Sequence, residues 1–377
     1  MSIFELRIIG KFFGIVVLTW LCMAAAAEAV FRLVGDAPTH DLEGLYAPFV
    51  DGNYKLATNV DTEADWASGK LTVHTDDLGL RCDSDRQFAT RPGQSVDVLL
   101  LGDSQGFGNG VSFESSLAGS LAITAKRDGF DVRNASIGGH SAASQARLAQ
   151  WLNDEHGLKV ANYVILVTPA IASSGGHLNR ARVGADGRLY GEATGTLALL
   201  RLWIKTHLVV YGRIRDAAHN ASIGVVPEND APFVFQFYQT GQSEELLSRK
   251  FLEFVGQFKA FAAQRGARVH LVYLPLTLEA DFEPTKRAAA LRGIDLDRDV
   301  PLRVCSAIAK QLNLTFFSLR PLLESLHAKG TALQLGADFH YAKELSVNSG
   351  ENIWEALKPA ITQSAASGQP LLSNGAK

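Results

Sequence analysis

VDVLLLGDSQGFGNGV, residues 96–111, decides how the rest of the chain is read. The opening VDVLLL is apolar at every position but Asp97, and a short run with no polar face suits a strand of a parallel sheet covered on both sides. Gly-Asp-Ser follows at once, and glycines then recur at 106, 108 and 110. Ser104 therefore stands at a strand end, where open α/β sheets bind their ligands. It is either a nucleophile lifted out of the strand or a turn residue that lets the chain leave the sheet.

Working outward, further apolar runs occur at 132–135, 163–167, 269–274 and 314–318. Helical patterns lie between most of them. In 113–127, Phe113, Leu117 and Leu121 recur every four residues, with Ser112 as the expected cap and Gly129 past the end. In 244–265, Leu247, Phe251, Phe254, Phe258 and Phe261 form one stripe after Ser243. Val304, Ile308 and Leu312 mark a third helix, and Trp354, Leu357 and Ile361 a fourth. Strand alternating with helix predicts an α/β domain with right-handed crossovers over 95–362. Residues 36–94 read as a turn-rich lead-in packing on that domain. Residues 175–240 interrupt the rhythm as an insertion whose apolar piece at 196–214 is expected to pack over the sheet or site. The tail 363–377 is expected to be disordered.

Residues 12–27, FFGIVVLTWLCMAAAA, carry no charge, and with their apolar flanks they approach the ~20 residues that span a bilayer. Arg7 and Lys11 precede the segment, while Glu28, Asp36, Asp41 and Glu43 follow it, so the bulk of the chain is expected outside the cytoplasm. A cleaved signal peptide is the competing reading, since Ala24 to Ala27 offer a small-residue cleavage site; the length of the apolar stretch favours an uncleaved anchor within 1–35. Cys22 is not a convincing lipid-attachment site. Cys82 and Cys305 leave room for one disulfide or two unrelated thiols.

The chain has 377 residues, 47% of them hydrophobic, which excludes disorder as its main state, and 36 basic against 39 acidic residues exclude a basic field for nucleic acid. No cysteine–histidine set has zinc spacing, and neither a metal nor a cofactor is expected. GFGNG lacks the Lys-Ser/Thr of a phosphate loop and does not spell the dinucleotide fingerprint, so Gly106, Gly108 and Gly110 read as turn residues.

A serine hydroxyl needs a base to take its proton and commonly an acid to orient that base. Asp338 and His340 stand two apart in LGADFHYAKEL; in an extended segment they project to one side, so the acid can hold the imidazole toward a serine elsewhere. That pair favours the nucleophilic reading of Ser104. Asp103 reads as a structural hydrogen-bonding residue. His140 is either a substrate contact or a satisfied histidine, and His156, His207, His219, His270 and His327 default to structural roles.

LLLGDSQGFGNGV, NASIGGHS at 134–141 and the Asp338-x-His340 pair resemble, in that order, the first, second and fifth blocks of the SGNH hydrolases, also called GDSL esterases and lipases. TDDLGLR at 75–81 is similar to the Asn-Ser-x-Gly-x-Arg segment that precedes the first strand in many of them. The resemblance spans roughly residues 75–360. It implies a three-layer α/β/α, flavodoxin-like fold with about five parallel strands, here preceded by the one transmembrane helix expected from the N-terminal segment. It implies a triad of Ser104, His340 and Asp338, and backbone N–H groups of Ser104 and Gly139 as oxyanion donors. The third block departs from the pattern: after YVILV comes TPAIASSGGHLN, without the Gly-x-Asn-Asp whose amide would be the third donor. Asn179, Ser173 or Ser174 are the substitutes this stretch offers.

The expected function is that of a serine esterase or O-acyltransferase, anchored at the inner membrane with its catalytic domain periplasmic or extracellular, acting on an ester-linked acyl group of an envelope or extracellular glycan, with acetyl the expected group. The alternative is a catalytically weak SGNH-like protein serving as a membrane-associated binding or assembly partner, docking on a membrane protein through 196–214.

Overall fold

The computed structural model describes residues 15–16, 18–30, 42, 44–66, 69–174, 182–183, 187, 189–190, 210, 235–335 and 338–366. It divides into a unit of Leu42–Glu192 with Gly224–Lys377 and a second of Met1–Asp41 with Ala193–Ile223. In the second unit residues 18–30 are helical, and the Glu28 carboxylate accepts the Val210 N–H at 3.0 Å. Among the described residues no helix is long and apolar enough to cross a membrane. The rest of the expected anchor and most of 175–240 lie outside the described residues. Of the tail expected to be disordered from 363, residues 363–366 instead continue the last helix, and the remainder lies outside the described residues.

The larger unit opens with β1 (Tyr46–Pro48) and β2 (Tyr54–Leu56), an antiparallel pair. Three strands of the main sheet follow in the lead-in: β3 (Asp61–Trp66), β4 (Gly69–Thr75) and β5 (Arg81–Cys82). The alternating segment then runs β6 (Ser95–Leu101), α1 (Ser104–Phe107), α2 (Leu117–Arg127), β7 (Val132–Asn134), α3 (Ala142–Asp154), β8 (Lys159–Val167) and α4 (Pro169–Ser174). After the short pair β9 (Arg182–Val183) and β10 (Leu189–Tyr190) come α5 (Gln242–Gln264), β11 (Arg268–Tyr273), α6 (Glu283–Ala290), α7 (Val300–Gln311), β12 (Thr315–Ser318) and α8 (Arg320–Ala328). The described chain closes with β13 (Gln334–Leu335), β14 (Asp338–Tyr341) and α9 (Lys343–Ala366).

The sheet has eight strands in the order β12-β11-β8-β6-β7-β5-β4-β3. Its first five are mutually parallel. Numbered among themselves they run 2-1-3-4-5, the doubly wound flavodoxin-like order. The remaining three are antiparallel, so the lead-in extends the sheet beyond β7. Along β8, Val164 and Leu166 face one apolar cluster while Tyr163, Ile165 and Val167 face another, the period-two alternation of a sheet covered on both sides. The first cluster contains α2, α8 and α9 residues such as Leu121, Leu323 and Trp354; the second contains Leu148, Phe251, Phe258 and Ile308 of α3, α5 and α7.

Two helix starts differ from the sequence reading. The α2 helix begins at Leu117, not near 113, because the Ser116 hydroxyl accepts the Gly119 N–H at 3.0 Å and the chain before it is a tight turn. The α5 helix starts at Gln242 behind Gly241, which supplies no side-chain cap. Cys82 and Cys305 are both buried and free, so the disulfide option is discarded.

Candidate active site

The segments carrying Ser104, Gly139 and His340 meet at one end of the parallel sheet. The β6 strand ends at Leu101, and Ser104 begins the single turn α1. Asp103 caps that turn: one carboxylate oxygen accepts the Gln105 N–H at 3.0 Å and the other accepts the Thr168 hydroxyl just past β8. Burial pushes its carboxyl up from the usual aspartate range, opposed by the Thr168 bond. Asp103 thus points into the scaffold, as a structural residue does.

The turn ends at Gly108 in the left-handed region, φ 88°, and the N–H groups of Gly108 and Asn109 both donate to the Ser104 carbonyl, at 3.0 and 3.1 Å. A Cβ at Gly108 would lie 2.4 Å from the Ser116 Cβ, so only glycine fits. Arg81, in β5, closes the turn from below. Its Nη1 donates to the carbonyls of Phe107 and Gly108 at 2.5 and 2.7 Å, and its Nη2 to that of Val111 at 2.7 Å. The guanidinium lies over the Phe107 ring, 4.7 Å from its centre. Burial lowers its pKa to about 10, so it stays cationic at neutral pH. The Phe107 carbonyl is one that a one-turn helix leaves without an intrahelical partner, and the buried cation satisfies it together with the Gly108 and Val111 carbonyls of the loop beyond.

The second block follows β7. The Asn134 side chain donates to the Gly106 carbonyl at 3.1 Å and accepts the Ser136 N–H at 3.0 Å, tying this turn to α1. Gly102 and Gly106 press on Ser136, whose Oγ would be 2.9 and 2.5 Å from a Cβ at either position. Gly139 has φ 76°, and the Tyr54 hydroxyl donates to the Gly138 carbonyl at 2.8 Å. His140 is buried, with Nε2 2.9 Å from the Tyr54 carbonyl. Desolvation lowers its pKa to about 4, so the ring is neutral. Of the two readings of His140, the structural one holds: it fastens β2 to the second block.

The fifth block arrives on β14. The Tyr341 N–H donates to Gln105 Oε1 at 3.1 Å, so the residue after His340 is hydrogen-bonded to the residue after Ser104, across 236 positions of chain. His340 is half-buried, and its charge acts on Asp103 to lower the carboxyl pKa. Among the described residues the Ser104 hydroxyl makes no hydrogen bond to His340. Asn179 lies outside the described residues, as do the side chains of Asp338, Ser173 and Ser174.

A buried polar hub not legible in the sequence supports β14. Glu279 is fully buried; its Oε1 accepts the Tyr238 and Tyr273 hydroxyls at 2.9 and 2.7 Å, and its Oε2 accepts Arg320 Nε and Nη2 at 3.0 and 2.6 Å. Two residues earlier, the Thr277 hydroxyl donates to Gln334 of β13 at 2.7 Å, and the Tyr341 hydroxyl donates to the Pro275 carbonyl at 2.6 Å. The hairpin bearing His340 is thus pinned to the end of β11.

With that geometry in place, the chain can be set beside known proteins. It is similar to several solved structures. One is TesA, at 17% identity over 71% of this chain and 99% of that one, with a TM-score of 0.39. Another is a putative lipolytic protein of the G-D-S-L family from Desulfitobacterium hafniense, at 16% identity over 69% and 98%, TM-score 0.36. A third is a carbohydrate acetylesterase from Sinorhizobium meliloti, at 14% identity over 71% and 99%, TM-score 0.36. No family model matches the chain, and no curated protein matches it.

Proposed function

We propose that the chain is a serine esterase or O-acyltransferase of the SGNH type, acting on an acyl ester of an envelope or extracellular glycan, with acetyl as the transferred group. The observation that carries the reading is the hydrogen bond from the Tyr341 N–H to Gln105 Oε1. Ser104 and His340 each lie one residue from that bond, and adjacent Cα atoms are only about 3.8 Å apart. The bond ties together the two backbone segments that a serine–histidine pair needs side by side, which supports the reading.

In the reaction His340 takes the Ser104 proton as the oxygen attacks the ester carbonyl, and Asp338 orients the imidazole and stabilises its charge. The N–H groups of Ser104 and Gly139 face the developing oxyanion. His340 then protonates the departing alcohol, leaving an acyl-enzyme that water or a sugar hydroxyl resolves. Asp103 cannot replace Asp338 in this scheme, since both its oxygens are engaged with Gln105 and Thr168. The apolar N-terminal segment and the basic residues before it support a single-pass location at the inner membrane, with the site outside the cytoplasm.

A fluorophosphonate probe tests the reading. Labelling at Ser104 that is lost in Ser104→Ala and His340→Ala is the expected result. A folded protein that takes up no label refutes it, and leaves the chain as a membrane-associated binding partner with a hydrolase-like fold. Product analysis with an acyl donor, with and without a glycan acceptor, separates transfer from hydrolysis.

A further inference from the structure

We infer that the side-chain amide of Asn109 is the third oxyanion donor, taking the place of the amide missing after β8. This rests on the serine-hydrolase reading above.

The position after β8 is already committed. The Thr168 hydroxyl donates to Asp103 and accepts the Ile171 N–H at 3.3 Å, so the residue opening that loop braces α1 and α4 and does not face substrate. A hollow lies instead beside Gly138. An ideal Cβ built there would sit 3.8 Å from the Ser104 Cβ and 3.7 and 3.9 Å from the Asn109 Oδ1 and Nδ2. Glycine leaves that volume empty. The carbon bearing the nucleophile and the Asn109 carboxamide both border it, and the Gly139 peptide follows directly in the chain.

An oxyanion formed on Ser104 is three bonds from that carbon, through Oγ and the former carbonyl carbon, and so within reach of the space beside Gly138. The backbone that carries the amide is held in place: the Asn109 main-chain N–H donates to the Ser104 carbonyl at 3.1 Å, so the donor's residue and the nucleophile share one hydrogen-bonded turn. The side-chain amide makes no hydrogen bond among the described residues, and it is half-buried, so its donor is available to a substrate. Turning the carboxamide over exchanges oxygen and nitrogen without changing its shape, which lets the N–H₂ face the charge. Removal of one such donor typically costs about 100- to 1,000-fold in turnover.

The test compares the full-length protein with Asn109→Ala, Asn109→Asp and Gly138→Ala, using p-nitrophenyl acetate turnover and the rate of fluorophosphonate attachment to Ser104. Asn109→Ala should lower kcat about 100-fold or more, with KM changed less than about threefold, because the donor acts on charge that exists only in the transition state. Asn109→Asp keeps the shape and presents an anion, so it should be at least as slow and it decides the matter should the alanine variant fold poorly. Gly138→Ala places a methyl at ordinary contact distance in the hollow and should abolish turnover while the melting temperature stays near that of the parent. Turnover within about threefold of the parent in both Asn109 variants, with Ser104 still labelled, overturns this inference alone. A parent protein whose Ser104 takes no label overturns it together with the hydrolase reading.

Discussion

Replacing Arg81 with Met should unsettle the nucleophile turn from outside the site. The guanidinium donates three hydrogen bonds to the carbonyls of Phe107, Gly108 and Val111. The Gly108 carbonyl keeps the Val111 N–H at 3.3 Å, while those of Phe107 and Val111 lose their partner. A buried acceptor left unpaired costs about 1–3 kcal/mol, so the two amount to roughly 2–6 kcal/mol. Met also removes a cation whose desolvation costs several kcal/mol, which offsets part of that loss. A net loss of about 3 kcal/mol is expected, or roughly 6–12 °C in Tm for a domain of this size. Thermal unfolding followed by circular dichroism measures the loss. Hydrogen exchange at the Gly108 and Asn109 amides, whose bonds to the Ser104 carbonyl close the turn, locates it. Arg81→Met that melts within 2 °C of the parent, with those two amides equally protected, would refute the clamp.

Acid should destabilise the protein through two buried imidazoles. Burial holds His140 and His270 at pKa values of about 4, below the usual 6.5. As pH falls from 6.5 toward 4, the unfolded chain binds protons that the folded one does not, so stability is lost in that window, by about 3 kcal/mol for each ring. Urea midpoints across that range should fall less steeply in His140→Asn than in the parent, and equal slopes would count against the account. Two glycines with the same backbone conformation should respond differently to alanine. Gly129, φ +85°, has nothing within 4 Å of its Cβ position, whereas at Gly108, φ +88°, a Cβ would meet the Ser116 Cβ at 2.4 Å. Gly129→Ala should cost about 1 kcal/mol and spare activity, and Gly108→Ala considerably more, along with activity, as measured by denaturant titration and ester turnover.

The strands β6, β8 and β11 were legible because their runs VLLL, YVILV and LVY are apolar on both faces, a composition with few other uses, whereas β7 and β12 are short and mix in Arg133, Asn134, Thr315 and Ser318. The β3–β4 hairpin was not: DTEADW and GKLTVHT carry no apolar run, and their pairing to one another and to β5 gives them their place. The helix α3 escaped notice because its buried face is built from Ala142, Ser144, Gln145 and Ala149 beside Leu148 and Leu152, too few large residues to show a stripe. Ser112 and Ser116 are equally good caps in sequence; the difference is a turn at 113–116 packed so closely that a Cβ at Gly119 would lie 1.8 Å from the Phe113 carbonyl oxygen. In the site, Ser104, Gly139 and His340 stood out by motif, and their segments do meet. Asn109 did not, since a glycine-rich loop reads as a turn and hides the one side chain with a donor to offer. Glu279 and Arg320 are 41 positions apart, and each alone reads as a surface charge. Only the fold shows them to be partners.

The antiparallel extension of the sheet has a practical consequence for anyone wishing to trim this protein. The five parallel strands look self-sufficient from Ser95 onward, and a cut there would seem to spare everything reactive. Such a fragment would leave the flank of β7 bare where Arg81 pairs with Asn134, inviting strand-to-strand clumping, and it would discard the cation that seats the serine. The smallest autonomous piece must therefore begin before β3, although none of the residues proposed to react lie there.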